Sequence, residues 1–444
     1  MDVEQLDRLR APEGRALLAS LPPYDERDVL ALGERLRRDG HPPELVAAAL
    51  TQHRLRARAA GRLGPDAERM WFTADGLEQT TRPVVAQRRA ARYVQVGLTD
   101  VLDLGCGIGG DAVAFAQAGL RVAAYDVDPL TAAIAHANAE DLGLGGLVQV
   151  RCADVRTVIE AARPLDDHDD NWRERGRDRT YRTSERHDHG STGGGRIGGG
   201  LGSGGLGAFV DPARRAGGRR VLNPEQWSPP WSWVRALADR VSATAAKVAP
   251  GIAHELLPDG TETEWVSVDG DLVEATVWWG PFKSEGVRHR ATLLPSRDTL
   301  TDAALSPMAP PTGPVGSYLH EPDGAILRAG LVGLVAEQVS GWLIDPTIAF
   351  ITSRELIATP YSTAYAVTDV LPFHLKRLRK LLRERGVGRV TVKKRGSAVE
   401  PESFRRQLKL SRDAHGEATV VLTRVGGEPT VLVVERLDVS GREG

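Results

Sequence analysis

The sequence predicts an α/β protein with a doubly wound, mainly parallel sheet, a helical region before it and a smaller α+β domain after it. Between residues 96 and 160, strand-like segments alternate with helix-like ones: DVLDLG, GDAVAFAQAG, RVAAYDVDP, LTAAIAHANAEDLGL and LVQVRCADV. Residues 1–95 instead carry helix-like patterns such as PPELVAAALTQHRLRARAAGRL. Near the C-terminus, LPFHLKRLRKLLRERG is typical of a helix, and ATVVLTRV and PTVLVVERL are typical of strands joined by a Gly-Gly turn.

Composition excludes several classes of protein. The 444 residues are 41% hydrophobic and 26% charged, with a formal net charge of −2, so the chain as a whole is not a polycation. Its two cysteines, Cys106 and Cys152, form neither a disulfide framework nor a metal-ligand spacing. The N-terminal segment MDVEQLDRLRAPEGR is charged, and no long apolar run follows it. We therefore expect a cytoplasmic protein without a signal peptide, a membrane span or a metal.

Composition also divides the chain into parts. Residues 163–207 are first charged and polar and then glycine-rich, with eleven glycines between 190 and 207. Such a segment buries too little apolar surface to offset its chain entropy, which predicts a disordered insertion. The Pro-rich run SPMAPPTGPVG indicates a linker. We expect a helical N-terminal region at 1–95, the sheet domain at 96–294 with its insertion at 163–207, a linker at 295–316 and a basic domain at 317–444.

Two local patterns refine this outline. The helix-like segment TTRPVVAQRRAARYVQ begins with hydroxyl side chains, so Thr80 or Thr81 is expected to cap the helix. Further along, TEWVSVDGDLVEATVWWG and VRHRATLLP are expected to form antiparallel strands that close the sheet.

The segment VLDLGCGIGGDAVAFAQAG, residues 101–119, predicts a ligand-binding turn. It fits G-x-G-x-x-G through Gly105, Gly107 and Gly110, and Gly109 adds a further glycine. Glycines allow a sharp turn and a close approach of the backbone to the ligand, and the following helix presents its N-terminus. The same motif serves NAD and FAD, so the turn alone leaves the cofactor open.

Three carboxylates favour S-adenosylmethionine over a dinucleotide. Asp103, Asp126 and Asp154 each lie at the end of a predicted strand, so they share the carboxyl edge of the sheet. In that order they suit an ammonium group, a ribose diol and an adenine amino group. Each aspartate alone is more often a turn residue or a helix cap. Together they predict an S-adenosylmethionine site formed with the glycine turn, whose cofactor-binding glycines are Gly105, Gly107 and Gly109.

These segments resemble the motifs of class I S-adenosylmethionine-dependent methyltransferases: VLDLGCGIGG the first, YDVDP the second and CADV the third. The resemblance covers about 80–294 and implies a Rossmann-like fold whose last strands are antiparallel. The upstream segment WFTADGLEQTTRPVV is similar to one in trimethylguanosine synthases. That likeness implies that Thr80, Thr81 and Pro83 cover the cofactor, with helix capping as the alternative.

The fourth strand, GAFVDPARR, indicates an acceptor site at Asp211 and Pro212. Methyltransferases that act on exocyclic amines have (D/N/S)-P-P-aromatic at this place. Ala213 and Arg214 depart from that pattern, which leaves the amine open. Arg214 and Arg215 are instead suited to a phosphate, because guanidinium groups bind it bidentately.

A second segment, QWSPPWSWV, matches the amine-methylating pattern through Ser228, the two prolines and Trp231. The favoured alternative is a helix start with Ser228 as its cap. Both interpretations hold if this loop folds over the acceptor site, where Trp227 or Trp231 would stack on a base. A sulfonium is already a good leaving group, so we expect neither a catalytic triad nor a metal, and alignment of the reactants dominates.

The C-terminal domain is basic: residues 376–412 contain fourteen Lys or Arg and three Glu. Lys393, Lys394 and Arg395 follow a predicted strand and are candidate phosphate ligands. The alternative is the solvated face of an amphipathic helix. Residues 317–437 resemble the THUMP-like domain that follows actinobacterial methyltransferases, and THUMP domains accompany RNA-modifying enzymes.

The sequence therefore predicts an S-adenosylmethionine-dependent methyltransferase that acts on a base nitrogen in RNA, either tRNA or rRNA. Two alternatives stay open: a methyltransferase for a small molecule or a protein, and a non-catalytic RNA-binding protein that keeps the cofactor fold. The sequence does not indicate which RNA is bound or how many copies of the chain associate.

Overall fold

The structure is a computed structural model that describes residues 1–160, 205–216, 219–221, 223–304, 309–411 and 414–437. The chain forms two compact units. The first comprises Met1–Val248 with Thr276–Lys283, and the second comprises Ala249–Ala275 with Ser284–Gly444. Of the expected insertion at 163–207, residues 163–204 lie outside the described residues.

The first unit begins with a helical region, as expected. Leucines at helical spacing supply its core, including Leu6, Leu9 and Leu36, which pack with the buried Trp71 and Phe72. The six helices are α1 (Val3–Arg10), α2 (Pro12–Ser20), α3 (Val29–Arg38), α4 (Pro43–Leu63), α5 (Ala74–Gln79) and α6 (Pro83–Gln95).

The start of α6 differs from its prediction. Its N-cap is Arg82, and no side chain caps it. The Thr81 hydroxyl donates instead to the Asp111 carboxylate at 2.8 Å. Because Arg82 occupies the N-cap position, the Thr81 hydroxyl lies one residue too early to cap the helix and is available for a tertiary contact.

The parallel sheet of the first unit follows, with its helices α7 (Gly110–Gln117), α8 (Pro129–Asp141), α9 (Val155–Glu160) and α10 (Trp231–Arg240). The strands are β1 (Leu98–Leu104), β2 (Arg121–Asp126), β3 (Val148–Cys152), β4 (Gly205–Val210), the short β5 (Arg215–Ala216) and β6 (Arg219–Arg220), and β7 (Ala243–Val248). The order β3-β2-β1-β4-β7 is parallel throughout. The chain reverses direction across the sheet between β1 and β4, which is where such sheets bind ligands.

Strand β4 begins inside the expected insertion. Gly205 pairs with Leu98 and Gly207 with Val101, so the last three residues of the predicted 163–207 segment belong to the sheet. Gly207 is required there because a Cβ would lie 2.7 Å from the Leu98 side chain and 2.8 Å from the Tyr93 ring. Gly207 thus belongs to a strand and has no room for a side chain, although the glycine-rich composition around it predicted disorder.

The second unit opens with β8 (Glu262–Val268), β9 (Asp271–Trp278, whose last three residues lie in the first unit), β10 (His289–Leu294) and β11 (Asp298–Thr301). A two-residue turn joins β8 to β9, which makes the pair antiparallel as predicted. The expectation for VRHRATLLP is wrong, because β10 is parallel to β8. The long 279–288 connection permits that crossover. Strand β11 pairs antiparallel with β10, so the expected linker at 295–316 contains a strand.

A seven-stranded sheet occupies the rest of the second unit, in the order β13-β14-β12-β15-β18-β17-β16. Its elements are β12 (Tyr318–Pro322), α11 (Gly324–Ala329), α12 (Val332–Gln338), β13 (Trp342–Asp345), β14 (Ile348–Ser353), β15 (Ser362–Pro372), α13 (Leu375–Glu384), β16 (Val387–Lys394), α14 (Pro401–Leu408), β17 (Gly416–Val425) and β18 (Glu428–Arg436). Gly426 and Gly427, both at positive φ, form the predicted turn between β17 and β18. On α13, Leu378 and Leu382 are buried, so its charged residues face outward.

The described residues also bear on the predicted partners. None of their helices has both the length and the apolar character needed to cross a membrane. Nor do they contain a group of three or more His, Cys, Asp or Glu side chains arranged to hold a metal ion.

We predict that Asn138→Ala destabilises the first unit. Asn138 is fully buried on α8, accepts from the Trp71 backbone N–H at 2.6 Å, and donates to the Trp71 and Ile108 carbonyls at 3.2 and 2.8 Å. Its loss leaves these backbone groups unsatisfied, which costs roughly 3 kcal/mol. Urea unfolding measures the change, with His136→Ala on the exposed side of α8 as the control. Equal stability of the two variants would contradict this role of Asn138.

Candidate cofactor and acceptor site

The turn between β1 and α7 has the backbone conformation that only glycine adopts readily. Gly105, Gly107 and Gly109 have φ values of 87°, 56° and 88°. At Gly105 a Cβ would also lie 2.7 Å from the Asp211 carbonyl oxygen. The Gly105 and Cys106 N–H groups both donate to the Tyr125 carbonyl at 2.9 Å, which fixes the turn against β2. These glycines bring the turn close to the end of β4.

Asp103 is a buried carboxylate without a donor. Its side chain is fully buried near the end of β1, and among the described residues neither carboxylate oxygen has a hydrogen-bond partner. Its pKa is raised to about 7, mainly by burial and also by the nearby Asp211 and Asp126 carboxylates, while Arg89 and Lys247 act in the opposite direction. A buried anion of this kind is suited to a ligand cation. The ammonium group of S-adenosylmethionine therefore fits this donor set.

Asp126, at the end of β2, faces the glycine turn. One carboxylate oxygen accepts from the Gly107 N–H and the other from the Asp128 N–H, both at 3.0 Å. Burial raises the pKa of Asp126, and these two backbone hydrogen bonds oppose the rise. The carboxylate is thus held in place at the end of β2, next to the turn.

Asp154 has a different setting from the one predicted. Arg156 contacts its carboxylate at 2.6 to 3.1 Å, and the hydrogen bond from Arg156 lowers the pKa of Asp154. The residue follows β3 at the expected sheet edge, but its oxygens already have a local cation. A contact with an adenine amino group would have to share the carboxylate with Arg156.

The predicted acceptor residues lie beside this turn. The Asp211 N–H donates to the Leu104 carbonyl at 3.1 Å, and Pro212 is buried. The next residue pairs with the second candidate segment, because Ala213 and Ser228 exchange backbone hydrogen bonds of 2.8 and 3.1 Å. The two segments that the sequence offered as alternatives therefore meet at one place.

The favoured interpretation of Ser228 as a helix cap is wrong. The N-cap of α10 is Pro230, and the Glu225 carboxylate rather than Ser228 accepts from the Ser232 N–H of the first turn, at 3.1 and 3.3 Å. Ser228 instead uses its backbone to pair with Ala213. The two prolines that follow separate it from the first turn of the helix, which puts its hydroxyl too early to serve as a cap.

Trp231 is not available as an open stacking surface. It is 3% exposed, and its ring packs against Trp227 and Trp279 at centroid distances of 6.2 and 5.9 Å. Trp227 is also buried. The prediction that Trp231 stacks on a base is contradicted, because α10 turns this residue into the core.

The two arginines after Pro212 are only partly described. Arg214 has a buried Nη1 that lacks a hydrogen-bond partner among the described residues. Arg215 lies in β5, and its side chain is outside the described part of the chain. Arg214 thus keeps an unused donor three residues beyond Asp211.

Sequence reasoning missed a buried chain of charges at this edge. Lys247, near the end of β7, contacts Asp211 Oδ2 at 2.8 Å and the Thr81 hydroxyl at 3.1 Å. Thr81 donates to Asp111, and Asp111 pairs with Arg89, whose guanidinium lies over the Phe209 ring. The available signal was a lysine within ATAAKV, since charged residues in buried strands need a partner.

The predicted phosphate ligands of the C-terminal domain mostly have partners. Lys393 pairs with Glu321 at 2.5 Å, and Lys394 lies 3.7 Å from Glu400. Arg395 lies over the Phe350 ring, and burial lowers its pKa. These contacts favour a structural role for the three residues.

Other basic residues in this segment lack an ion-pair partner among the described residues. They are exposed and lie on α13 or at α14, and we refer to them as the α13–α14 cations: Lys376, Arg377, Arg383, Arg406 and Lys409. The two helices pack together, and the Arg379 guanidinium of α13 donates to the Gln407 carbonyl of α14 at 2.6 Å. The sequence shows that these residues are basic but not which basic residues have ion-pair partners, so it could not distinguish them from the paired ones.

Comparison with known families assigns three parts of the chain. Residues 101–166 match the family described as a methyltransferase domain, and residues 362–436 match the THUMP domain-like family. Residues 2–59 match a domain of unknown function (DUF8688).

Known proteins resemble the chain over most of its length. Two proteins of Mycobacterium tuberculosis, from strains CDC 1551 and H37Rv, are named uncharacterized S-adenosylmethionine-dependent methyltransferases. Each is 29% identical over 402 residues, which cover 88% of this chain and 95% of the relative. A crystal structure from Porphyromonas gingivalis W83, assigned as a methyltransferase, has the same fold, with a TM-score of 0.65 at 19% identity, covering 94% of this chain and 100% of that one.

These findings confirm the expected fold class, enzyme class and cofactor. The Rossmann-like sheet carries the glycine turn and a buried carboxylate suited to the cofactor ammonium. The chain is thus a homologue of S-adenosylmethionine-dependent methyltransferases, with a Rossmann-like methyltransferase domain followed by a THUMP-like domain.

Proposed function

We propose that this methyltransferase transfers the methyl group to a base nitrogen of RNA, a tRNA or rRNA. The observation that carries the proposal is the set of α13–α14 cations, which lies within or beside the residues matched as THUMP-like and has no protein partner among the described residues. Exposed cations without carboxylate partners are suited to phosphates. The acceptor site in the methyltransferase domain supplies the second part of the argument.

In this proposal the cofactor is held by Asp103, the glycine turn, Asp126 and Asp154. Asp103 binds its ammonium group, because that carboxylate is buried and lacks another donor. Asp126 is presented to the ribose by its two backbone hydrogen bonds. When bound, the cofactor supplies an electrophilic methyl group on a sulfonium. The protein then needs to align the acceptor and exclude water rather than provide a strong base.

Asp211 and Pro212 form the acceptor site. Asp211 Oδ2 is bound by Lys247, whereas Oδ1 has no hydrogen-bond partner among the described residues. That oxygen accepts a hydrogen bond from an exocyclic amine of the base, which orients the nitrogen lone pair. Arg214, and Arg215 beside it, bind a phosphate of the same RNA, and the buried Nη1 of Arg214 supports this role.

Transfer of radiolabel from S-adenosylmethionine to RNA tests the proposal. Purified full-length protein is incubated with total RNA from a host strain that lacks this gene. Label in one RNA size class supports an RNA methyltransferase and identifies the RNA to digest. Absence of label, with cofactor binding confirmed by calorimetry, contradicts it and favours a small-molecule acceptor, a protein acceptor or a non-catalytic RNA-binding protein.

We predict that cofactor affinity falls as the pH drops below about 7. The pKa of Asp103 in the free protein is about 7, and a bound ammonium group requires the ionised carboxylate. Each unit of pH below that value therefore weakens binding by up to about tenfold. Calorimetry with S-adenosylhomocysteine between about pH 5.5 and pH 8.5 measures the dependence, and a flat profile would contradict the assignment.

We predict that Asp103→Asn abolishes cofactor binding and stabilises the cofactor-free protein in alkaline solution. The folded-state pKa of Asp103 lies above its ordinary value of 3.8, so its ionisation opposes folding as the pH rises from about 4 to 7, and the penalty is complete above that range. Thermal unfolding near pH 8 should therefore show a higher Tm for the variant. Asp75→Asn, at an exposed position in α5, is the control and should change neither property. Full cofactor affinity in Asp103→Asn would contradict the prediction.

We predict that Asp211→Ala keeps the cofactor and loses turnover. The side chain lies beside the turn, and its free oxygen contacts the acceptor rather than the cofactor. Removal of one aligned contact lowers kcat by on the order of a hundredfold. Calorimetry and the RNA assay measure the two properties separately. Wild-type turnover in this variant would remove Asp211 from the acceptor site.

We predict that replacing Lys376, Arg377 and Arg383 by Gln weakens RNA binding by on the order of tenfold or more. The slope of log affinity against log salt should fall by about 2, because each lost phosphate contact removes about 0.7 to 0.9. Fluorescence anisotropy at several salt concentrations measures both values. The matched control replaces three exposed arginines outside this segment, Arg297, Arg354 and Arg436. Equal loss in the control would show only the effect of net charge.

A further inference from the structure

We propose that Lys247 is a positioning residue for methyl transfer. Its ammonium group binds Asp211 Oδ2 and fixes the carboxylate so that Oδ1 stays available to the acceptor. The inference rests on the proposed acceptor role of Asp211, and neither motif nor family resemblance assigns a role to Lys247.

The contact between the two residues is direct and shielded from water. Lys247 Nζ lies 2.8 Å from Asp211 Oδ2, and the Lys247 side chain is 8% exposed. A buried ammonium group is stable only with a close counter-ion and further hydrogen bonds. Asp211 is that counter-ion, and the Thr81 hydroxyl at 3.1 Å is the second partner. No third partner of Nζ occurs among the described residues.

Thr81 determines the direction of the lysine. A hydroxyl has one proton, and Thr81 donates it to Asp111 Oδ2 at 2.8 Å, so its oxygen accepts from Lys247. Asp111 is held in turn by its ion pair with Arg89. The contacts therefore run from the Arg89 cation to the Asp111 anion, the Thr81 hydroxyl, the Lys247 cation and the Asp211 anion. Each group in this chain limits the rotamers of the next one.

The contact with Lys247 determines the chemical role of Asp211 in the acceptor site. Asp103, also a carboxylate, is close enough to interact electrostatically with Asp211. Two neighbouring carboxylates without a cation favour protonation of one of them. Lys247 offsets that repulsion, so Asp211 acts as a hydrogen-bond acceptor that orients an amine. When the amine nitrogen forms its bond to the methyl carbon, the carbon–sulfur bond breaks with its electron pair on sulfur, and the surplus proton leaves to solvent.

The test compares Lys247→Met, Lys247→Arg and the control Lys283→Met on an exposed lysine of the same unit. It uses the full-length protein and the RNA class that accepts label. We expect Lys247→Met to lower kcat by tenfold or more, with KM for the cofactor within about twofold at high pH. Lys247→Arg should recover most of the rate, and Lys283→Met should match the wild type.

A wild-type kcat in Lys247→Met would overturn the inference. An equal loss of kcat in Lys247→Arg and Lys247→Met would also overturn it, since that pattern indicates a packing defect. A double-mutant cycle of Lys247→Met with Asp211→Asn, measured through the Tm of each variant, needs no substrate. If the wild-type protein labels no RNA, the proposed function fails. If the effects of the two substitutions on stability simply add, the two residues are not coupled, and the inference about Lys247 is overturned by that result alone.

Discussion

The burial of charge at the carboxyl edge of the parallel sheet is the constraint on which the rest of this site depends. β1 and β4 are neighbours in register, with Asp103 opposite Phe209, so the chain leaves both strands at the same level. Asp103 and Asp211 consequently face one region of low dielectric, where two carboxylates repel strongly. Lys247 reaches this region from β7 and offsets part of the repulsion. Asp103 alone keeps no partner among the described residues, which is costly for the fold and useful for binding a cation.

The helical N-terminal region contributes to this edge through the segment that ends it. Thr81 lies just before α6 and Arg89 in its middle, and they fix Asp111 at the first turn of α7. The Asn138 side chain of α8 ties the segment near Trp71 to the glycine turn through three hydrogen bonds to backbone groups. The helices are therefore part of the structure that holds the glycine turn and the charged groups in place. A sheet without them would leave Lys247 and Asp111 without their shared hydroxyl.

In the C-terminal domain, ion pairing decides which positive charges remain available. Lys393 is held by Glu321 and the face of Tyr365, whereas the α13–α14 cations are exposed and form no ion pair in the described part of the chain. The Lys393 side chain, on the edge strand β16, meets side chains of β12 and β15. On α13, Leu378 and Leu382 are buried, and Lys376, Arg377 and Arg383 lie on the exposed face. Phosphate binding is thus better matched to the helices than to the strand end.

The sequence by itself determined the alternation of strands and helices between residues 96 and 160, the glycine turn and the aspartates at the strand ends, because these follow from periodicity and from backbone conformations that only glycine favours. It also located Asp211 and Pro212 after the fourth strand. Tertiary structure decided the rest: Lys247 as the partner of Asp211, and the burial of Trp231. It also made β10 parallel to β8 and put β11 in the expected linker. The physical reason is that a charge or a ring acquires its role from neighbours that are distant in sequence, and local patterns carry no information about which neighbours those are.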